Sequence, residues 1–256
     1  MDNCLNNIIN QYKGFNEVKA IALGGSSAAK TADKSSDIDM YVFVDKDIPL
    51  EKRENLIKKI SSKYEVGCDY FGSGDEYFVD GLGQQLDVMY WNKDWFENTV
   101  HNIWEKHQPS NGYSTCFLHT LNIFEIIHDT GSWLQGLKDK LKTPYPEKLA
   151  QNIIKRNMML MKDKPFASYY EQIEKAIKRN DTNSINHRIA AFMASYFDVL
   201  FAKNKILHPG EKRLVQFAKN NCKILPEQFE ENINKLFTRP DTLKILSNMV
   251  ENIRKI

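Results

Sequence analysis

The sequence predicts an α+β protein: a mixed β-sheet with flanking helices in the N-terminal part, followed by a C-terminal α-helical bundle. Three observations lead there. Up to residue 143 short apolar runs alternate with amphipathic helical segments, as in a sheet flanked by helices. Beyond Lys142-Thr143-Pro144-Tyr145-Pro146, a proline-marked breaker, helical periodicity continues alone. The charge also divides there: residues 1–143 hold 15 Lys and Arg against 21 Asp and Glu, or −6, and residues 144–256 hold 20 against 12, or +8. These expectations define domains 1–143 and 144–256.

The elements follow in order. Residues 1–13 form an amphipathic helix with Leu5, Ile8, Ile9 and Tyr12 on one face. Strands are expected over 18–23, 38–44, 64–68, 77–79, 85–90 and 123–127. Helices are expected over 27–33, 50–61, 95–106 and 133–142. Asp80-Gly81-Leu82-Gly83 reads as the loop of a hairpin between the strands on either side. In the second domain the periodicity gives helices over 147–163, 167–179, 184–202, 211–220, 227–237 and 242–256, a five- or six-helix bundle.

Composition bounds the class. Apolar residues make up 42% and charged residues 27% of the 256, ordinary for a globular chain. No apolar run reaches bilayer length and the N-terminus lacks a signal-peptide pattern, so a cytoplasmic protein is expected. Cys4, Cys68, Cys116 and Cys222 form no Cys-x-x-Cys pair, which argues against a zinc site or a disulfide framework.

The most informative stretch is Ala22 to Asp45, ALGGSSAAKTADKSSDIDMYVFVD. A Gly24-Gly25-Ser26 turn separates an apolar strand from a helix-compatible segment, and Asp37 and Asp39 open the next apolar strand. Strand residues at i and i+2 share a face, so the two acids are expected to project together from one edge position. Adjacent carboxylates repel unless a cation lies between them. Hard divalent ions such as Mg²⁺ use a few carboxylates plus substrate phosphates. Backbone N–H groups at a glycine turn opening a helix form an anion cradle. A phosphate cradle beside a metal-binding acid pair implies a nucleotide.

This pattern, Gly-Ser followed about ten residues later by Asp-x-Asp in an apolar strand, resembles the DNA polymerase β-like nucleotidyltransferase superfamily. The Ser36-Asp37-Ile38-Asp39 wording resembles its bacterial two-domain branch, which includes aminoglycoside and lincosamide nucleotidyltransferases. The family's third carboxylate is matched by Asp87 in Gln-Gln-Leu-Asp-Val-Met-Tyr-Trp.

The resemblance implies that Asp37, Asp39 and Asp87 hold one or two Mg²⁺ ions, with Asp87 also accepting the proton of the acceptor hydroxyl. It implies that Gly24, Gly25, Ser26 and Lys30 bind the triphosphate; many relatives carry Arg at the Lys30 position, and Lys lacks the bidentate grip. Lys212, expected in the first turn of a helix after the His208-Pro209-Gly210 turn, is misplaced against the helix dipole unless it faces an anion. The relatives' long helix, asparagine and proline turn with a lysine make Lys212 a further triphosphate candidate.

The implied reaction is Mg-dependent transfer of a nucleoside monophosphate, ATP being the default donor, to a hydroxyl of a small-molecule acceptor, possible antibiotics included, with release of pyrophosphate. The basic second half keeps a macromolecular acceptor, an RNA 3′ end or a protein hydroxyl, as the alternative. A nucleotide-binding regulatory module is the third reading. Acids available to a cationic acceptor are Glu76, Asp80, Glu171 and Glu174, in no diagnostic arrangement. Tyr90, Trp91, Trp95, Tyr113, Tyr169 and Tyr170 are candidate stacking surfaces or simply core. The sequence leaves the oligomeric state, the preferred NTP and the acceptor open.

Overall fold

The computed structural model describes residues 3–25, 37–70, 72–238 and 241–256, with the side chains of 237 and 238 excluded. The chain divides into two compact units, Met1–Val100 with Thr120–Thr143, and His101–His119 with Pro144–Ile256. A single cut after Thr143 would leave His101–His119 with the sheet, whereas its contacts belong to the helical unit.

The first unit holds one mixed six-stranded sheet in the order β3-β4-β5-β2-β1-β6. Its strands are β1 (Val18–Leu23), β2 (Ile38–Val44), β3 (Lys63–Cys68), β4 (Gly74–Val79), β5 (Gln84–Asn92) and β6 (Glu125–Asp129). β2 and β5 run parallel, and the other neighbouring pairs are antiparallel. Apolar alternation explains the central strands. On β5, Leu86, Val88 and Tyr90 are buried while Gln85, Asp87, Met89 and Trp91 take the other face. The buried face meets α1 (Asn3–Lys13), through Leu5, Ile8, Ile9 and Tyr12, and α2 (Leu50–Ile57), through Leu56 and Ile57.

The opposite face is partly closed by aromatic side chains. Tyr41 and Phe43 of β2 meet Trp91, Phe124, Phe96 of α3 (Lys93–Trp104) and Trp133 of α5 (Trp133–Lys140). Centroid separations of 4.7 to 5.9 Å and tilted or edge-on rings suit the aromatic quadrupole. The Asp80–Gly83 loop closes the β4–β5 hairpin as expected, with Gly83 at φ 66°.

Two strands differ from their sequence expectations, β4 by beginning at Gly74 rather than at 77 and β6 by its start. Cys116–Ile123 is a helix, α4, and β6 begins at Glu125 rather than at 123. The apolar Leu121-Asn122-Ile123-Phe124 segment fits either period when read alone, and helix α4 uses its first part.

The second unit is built around α8 (Thr182–Asn204), which buries Phe192, Tyr196, Phe197, Leu200 and Phe201. Around it lie α6 (Glu147–Met158), α7 (Tyr169–Lys178), α9 (Leu214–Asn221), α10 (Phe229–Thr238) and α11 (Thr242–Arg254). The helix expected over 147–163 widens at its end into a π turn, Met159–Asp163, closed by the Lys164 N–H to the Met159 carbonyl at 2.9 Å. Capping is local: Ser168 accepts from the Glu171 N–H and Asp181 from the Ser184 N–H.

Candidate active site

Parallel pairing of β2 and β5 sets Asp39 directly beside Asp87. Neighbouring strands lie about 5 Å apart, and laterally paired residues share a face, so two acids distant in sequence become adjacent. Asp37 stands one residue before β2 and is exposed, while Asp39 is half-buried. β2 is not an edge strand. β1 pairs along its other side and takes β6 in turn, so the acids stand at the start of an interior strand.

The glycine turn is built into the same place. The Gly24 N–H donates to the Asp39 carbonyl at 2.9 Å, tying the end of β1 to β2. A Cβ on Gly24 would lie 2.5 Å from the Tyr41 ring, and a Cβ on Gly25 would lie 1.7 Å from Oδ2 of Asp39. Gly25 also has φ 63°, a conformation that glycine adopts without strain. The Asp39 carboxylate therefore occupies the volume that any other residue at 25 would fill. Ser26 and Lys30, together with the helix expected over 27–33, lie outside the described residues. Burial, and secondarily the nearby Asp39 carboxylate, push the Tyr41 phenol upward.

Asp87 has a partner that sequence reasoning missed. Gln85 Nε2 donates to Asp87 Oδ1 at 2.8 Å. The spacing of two on a strand was the available signal, because it puts the amide and the acid on one face. Behind this face, Asp75 of β4 is fully buried and accepts from Arg53 Nη1 at 2.9 Å, the Gly67 N–H at 2.8 Å and the Tyr90 hydroxyl at 2.6 Å. Asp75 pairs with Val88, the residue after Asp87, so this network clamps the hairpin that carries the third acid. Tyr90 is thereby engaged on the buried face and offers no stacking surface. Burial first, then Asp75, raises its phenol well above the ordinary value.

Among the described residues, no three His, Cys, Asp or Glu side chains converge into a complete metal-holding group. The donor set nevertheless suits Mg²⁺, which binds through one or two carboxylates and takes its remaining ligands from phosphates and water. Asp39 and Asp87 would supply such a platform, and the absence of a side chain at Gly25 leaves room for the Asp39 carboxylate.

Lys212 is exposed in the turn before α9, not in its first turn. The helix starts only at Leu214, because Arg213 takes the left-handed conformation, φ 55°, and breaks the helical path. The expected dipole conflict at Lys212 therefore does not arise.

Residues 6–70 match the family model "Polymerase beta, Nucleotidyltransferase", and residues 115–214 match a domain of unknown function, DUF4037. The first match runs from α1 through β1, β2 and α2 into β3, and so contains Gly24, Gly25, Asp37 and Asp39. The segment that carries the glycine turn, Asp37 and Asp39 is accordingly a polymerase beta-type nucleotidyltransferase domain. No curated protein matches the chain. Among solved structures, it is similar to a nucleotidyltransferase-like protein from Exiguobacterium sibiricum, with 9% identity, 98% of this chain and 72% of that chain covered, and a TM-score of 0.49. It is also similar to a spectinomycin adenyltransferase from Enterococcus faecialis, with 16% identity, 97% of each chain covered, and a TM-score of 0.33. A CCA-adding enzyme from Thermotoga maritima, complexed with tRNA, is 14% identical over 98% of this chain and 74% of that chain, with a TM-score of 0.29.

Among the described residues no helix is long and apolar enough to cross a membrane.

Proposed function

We propose that the protein transfers a nucleoside monophosphate, with ATP as the default donor, to a hydroxyl of a small-molecule acceptor, antibiotics included, and releases pyrophosphate. The observation that carries this reading is the in-register Asp39–Asp87 pair beside the Gly24-Gly25 turn. Asp37, Asp39 and Asp87 would hold one or two Mg²⁺ ions. When bound, Mg²⁺ neutralises charge on the triphosphate oxygens and on the pyrophosphate that leaves.

The chain's own groups do the remaining work. The N–H groups of Gly25 and Ser26, with Lys30 as a point charge, would hold the β- and γ-phosphates, the Gly24 N–H being spent on the Asp39 carbonyl, and Lys212 is a separate triphosphate candidate. Asp87, oriented by Gln85, accepts the proton as the acceptor oxygen attacks the α-phosphorus. One P–O bond forms to the acceptor, and the bond from the α-phosphorus to the bridging oxygen breaks, that oxygen leaving with pyrophosphate.

A second reading, transfer to an RNA 3′ end or a protein hydroxyl, draws on the +8 balance of residues 144–256. RNA held by that half would bind with a steep salt dependence, and salt-insensitive or absent binding would remove the RNA reading.

The test is pyrophosphate release with Mg²⁺ and each of the four NTPs across aminoglycosides, lincosamides and short RNAs. Asp39→Asn is expected to lower turnover by about 10²-fold or more while leaving the melting transition in place. Near-normal turnover in that variant would sink the assignment of the acid pair.

A further inference from the structure

We propose that Tyr41 is a further substrate-binding residue of this site, its hydroxyl donating to a phosphate oxygen of the nucleotide held beside Asp39. The inference rests on the nucleotidyl-transfer reading and adds to it a side chain that the acid and glycine motifs do not include.

Tyr41 stands two residues after Asp39 on β2 and shares its face. On the β5 side its neighbour is Met89, and on the β1 side it is Ala22, whose small side chain leaves the strand surface open. The ring takes that opening and leans toward the glycine turn. A Cβ on Gly24 would lie 3.2 Å from Tyr41 Cδ2 but only 2.5 Å from Cε2, the carbon nearer the hydroxyl, so the polar end of the ring leads over Gly24. Gly24 is tied to Asp39 through its N–H. Trp91 and Phe124 brace the ring, with centroids 4.8 and 4.7 Å away.

Packing explains the ring but not its hydroxyl. Phe43, the next residue on the same face, is fully buried in the same aromatic cluster and does without one. Buried phenols usually find a partner, and three on the opposite face do. Tyr12 is hydrogen-bonded to Tyr77 and Tyr90, and the Tyr90 hydroxyl donates to Asp75. Among the described residues the half-buried Tyr41 has no hydrogen-bond partner for its hydroxyl, and that oxygen is not one of the sealed, unpartnered side-chain atoms, so it reaches solvent beside the turn.

The flank on which the hydroxyl lies decides what it meets. Gly24 is on the β1 side of Asp39, and Asp87 is on the β5 side. The acceptor hydroxyl, whose proton Asp87 takes in the proposed reaction, belongs on the β5 flank, and the phosphates cradled by the glycine turn belong on the other. A phenol at neutral pH is a hydrogen-bond donor. Its bond to an anionic oxygen is short and about twice as strong as one between neutral groups. A phosphate oxygen above Gly24 is the acceptor that such a donor fits.

Binding of Mg·ATP and of Mg·tripolyphosphate to the full chain, measured by isothermal titration calorimetry, tests the contact. Tyr41→Phe keeps the ring and its packing and removes only the hydroxyl. It is expected to weaken both ligands by about tenfold or more, while the melting temperature and the near-UV circular dichroism stay those of wild type. Equal affinity of wild type and Tyr41→Phe for Mg·ATP overturns the contact and leaves the nucleotidyl-transfer reading standing. A loss confined to Mg·ATP moves the hydroxyl to the nucleoside, and a loss accompanied by a changed near-UV spectrum places its role in packing; either result overturns the phosphate contact. Failure of wild type to bind Mg·ATP at all overturns the nucleotidyl-transfer reading, and the contact with it.

Discussion

At the residue scale the site depends on what is missing from Gly25. Its φ of 63° and the 1.7 Å approach that a Cβ would make to Asp39 Oδ2 are two separate penalties on any substitution. The left-handed backbone alone costs an alanine roughly 1 kcal/mol. Displacement of the Asp39 carboxylate acts on chemistry rather than on folding, because the acid sits at the end of a strand that is otherwise secured by its neighbours. Gly25→Ala is therefore expected to lower the melting temperature by only a few degrees while reducing turnover by about 10²-fold. A variant that keeps full turnover would show that the turn and the acid are not coupled. Gly24, Gly25 and the acids Asp37, Asp39 and Asp87 stand out as candidates in the sequence because their spacing is local to a turn and two strands. Gln85 was signalled only by its spacing of two from Asp87 on one strand, and Glu76 not at all, since its pairing with Asp87 appears only once the sheet register is known.

At the element scale, strands with one clean apolar face declared themselves, as β2 and β5 show. α4 and β6 did not, because a short apolar run satisfies both periods when tertiary pairing is hidden. α8 carries a group whose behaviour follows from where the helix is packed. Burial pushes Asp198 up to about 6, although Ser114 and Asn157 donate to it. The folded protein holds that proton more tightly than the unfolded chain, so the stability Asp198 contributes is complete below about pH 4 and is lost as pH rises through about 6. His208, in the turn after α8, is shifted the other way. Burial, with His119 second, lowers it to about 4 from 6.5. Its contribution is present above about pH 6.5 and is lost as pH falls through about 4. Each effect amounts to roughly 3 kcal/mol, and the two oppose each other over the same window. Asp198→Asn is expected to remove the first and expose the second, so that its stability falls more steeply than wild type on acidification from pH 6.5 to 4. Denaturant melts across that range measure the difference, and parallel curves would contradict it.

At the scale of the whole molecule, the chain crosses between its two compact units three times, at 100/101, 119/120 and 143/144. The proline breaker at Pro144 and Pro146 marked the last of these, and nothing in the local sequence marked the first two. The reason lies in long-range polar contacts. Ser114 N–H and Oγ donate to Asp198, the Gly112 N–H donates to Asn157, and Asn157 Nδ2 donates to the Ser110 carbonyl and to Asp198. A Cβ on Gly112 would lie 2.8 Å from Ala194 Cβ, so the segment packs closely on α8 as well. Cutting the chain after Thr143 removes Asn157, Ala194 and Asp198 together and leaves the partners of a buried network unpaired, which costs about 1–3 kcal/mol for each group. The fragment 1–143 is therefore expected to keep its sheet but lose order in His101–His119. Limited proteolysis should cut within 105–115 in the fragment and spare those bonds in the full chain, and hydrogen exchange there should approach the rate of an unstructured peptide. Equal protection in both would mean that the segment is held by the sheet unit, and that a single boundary at Thr143 describes the molecule after all.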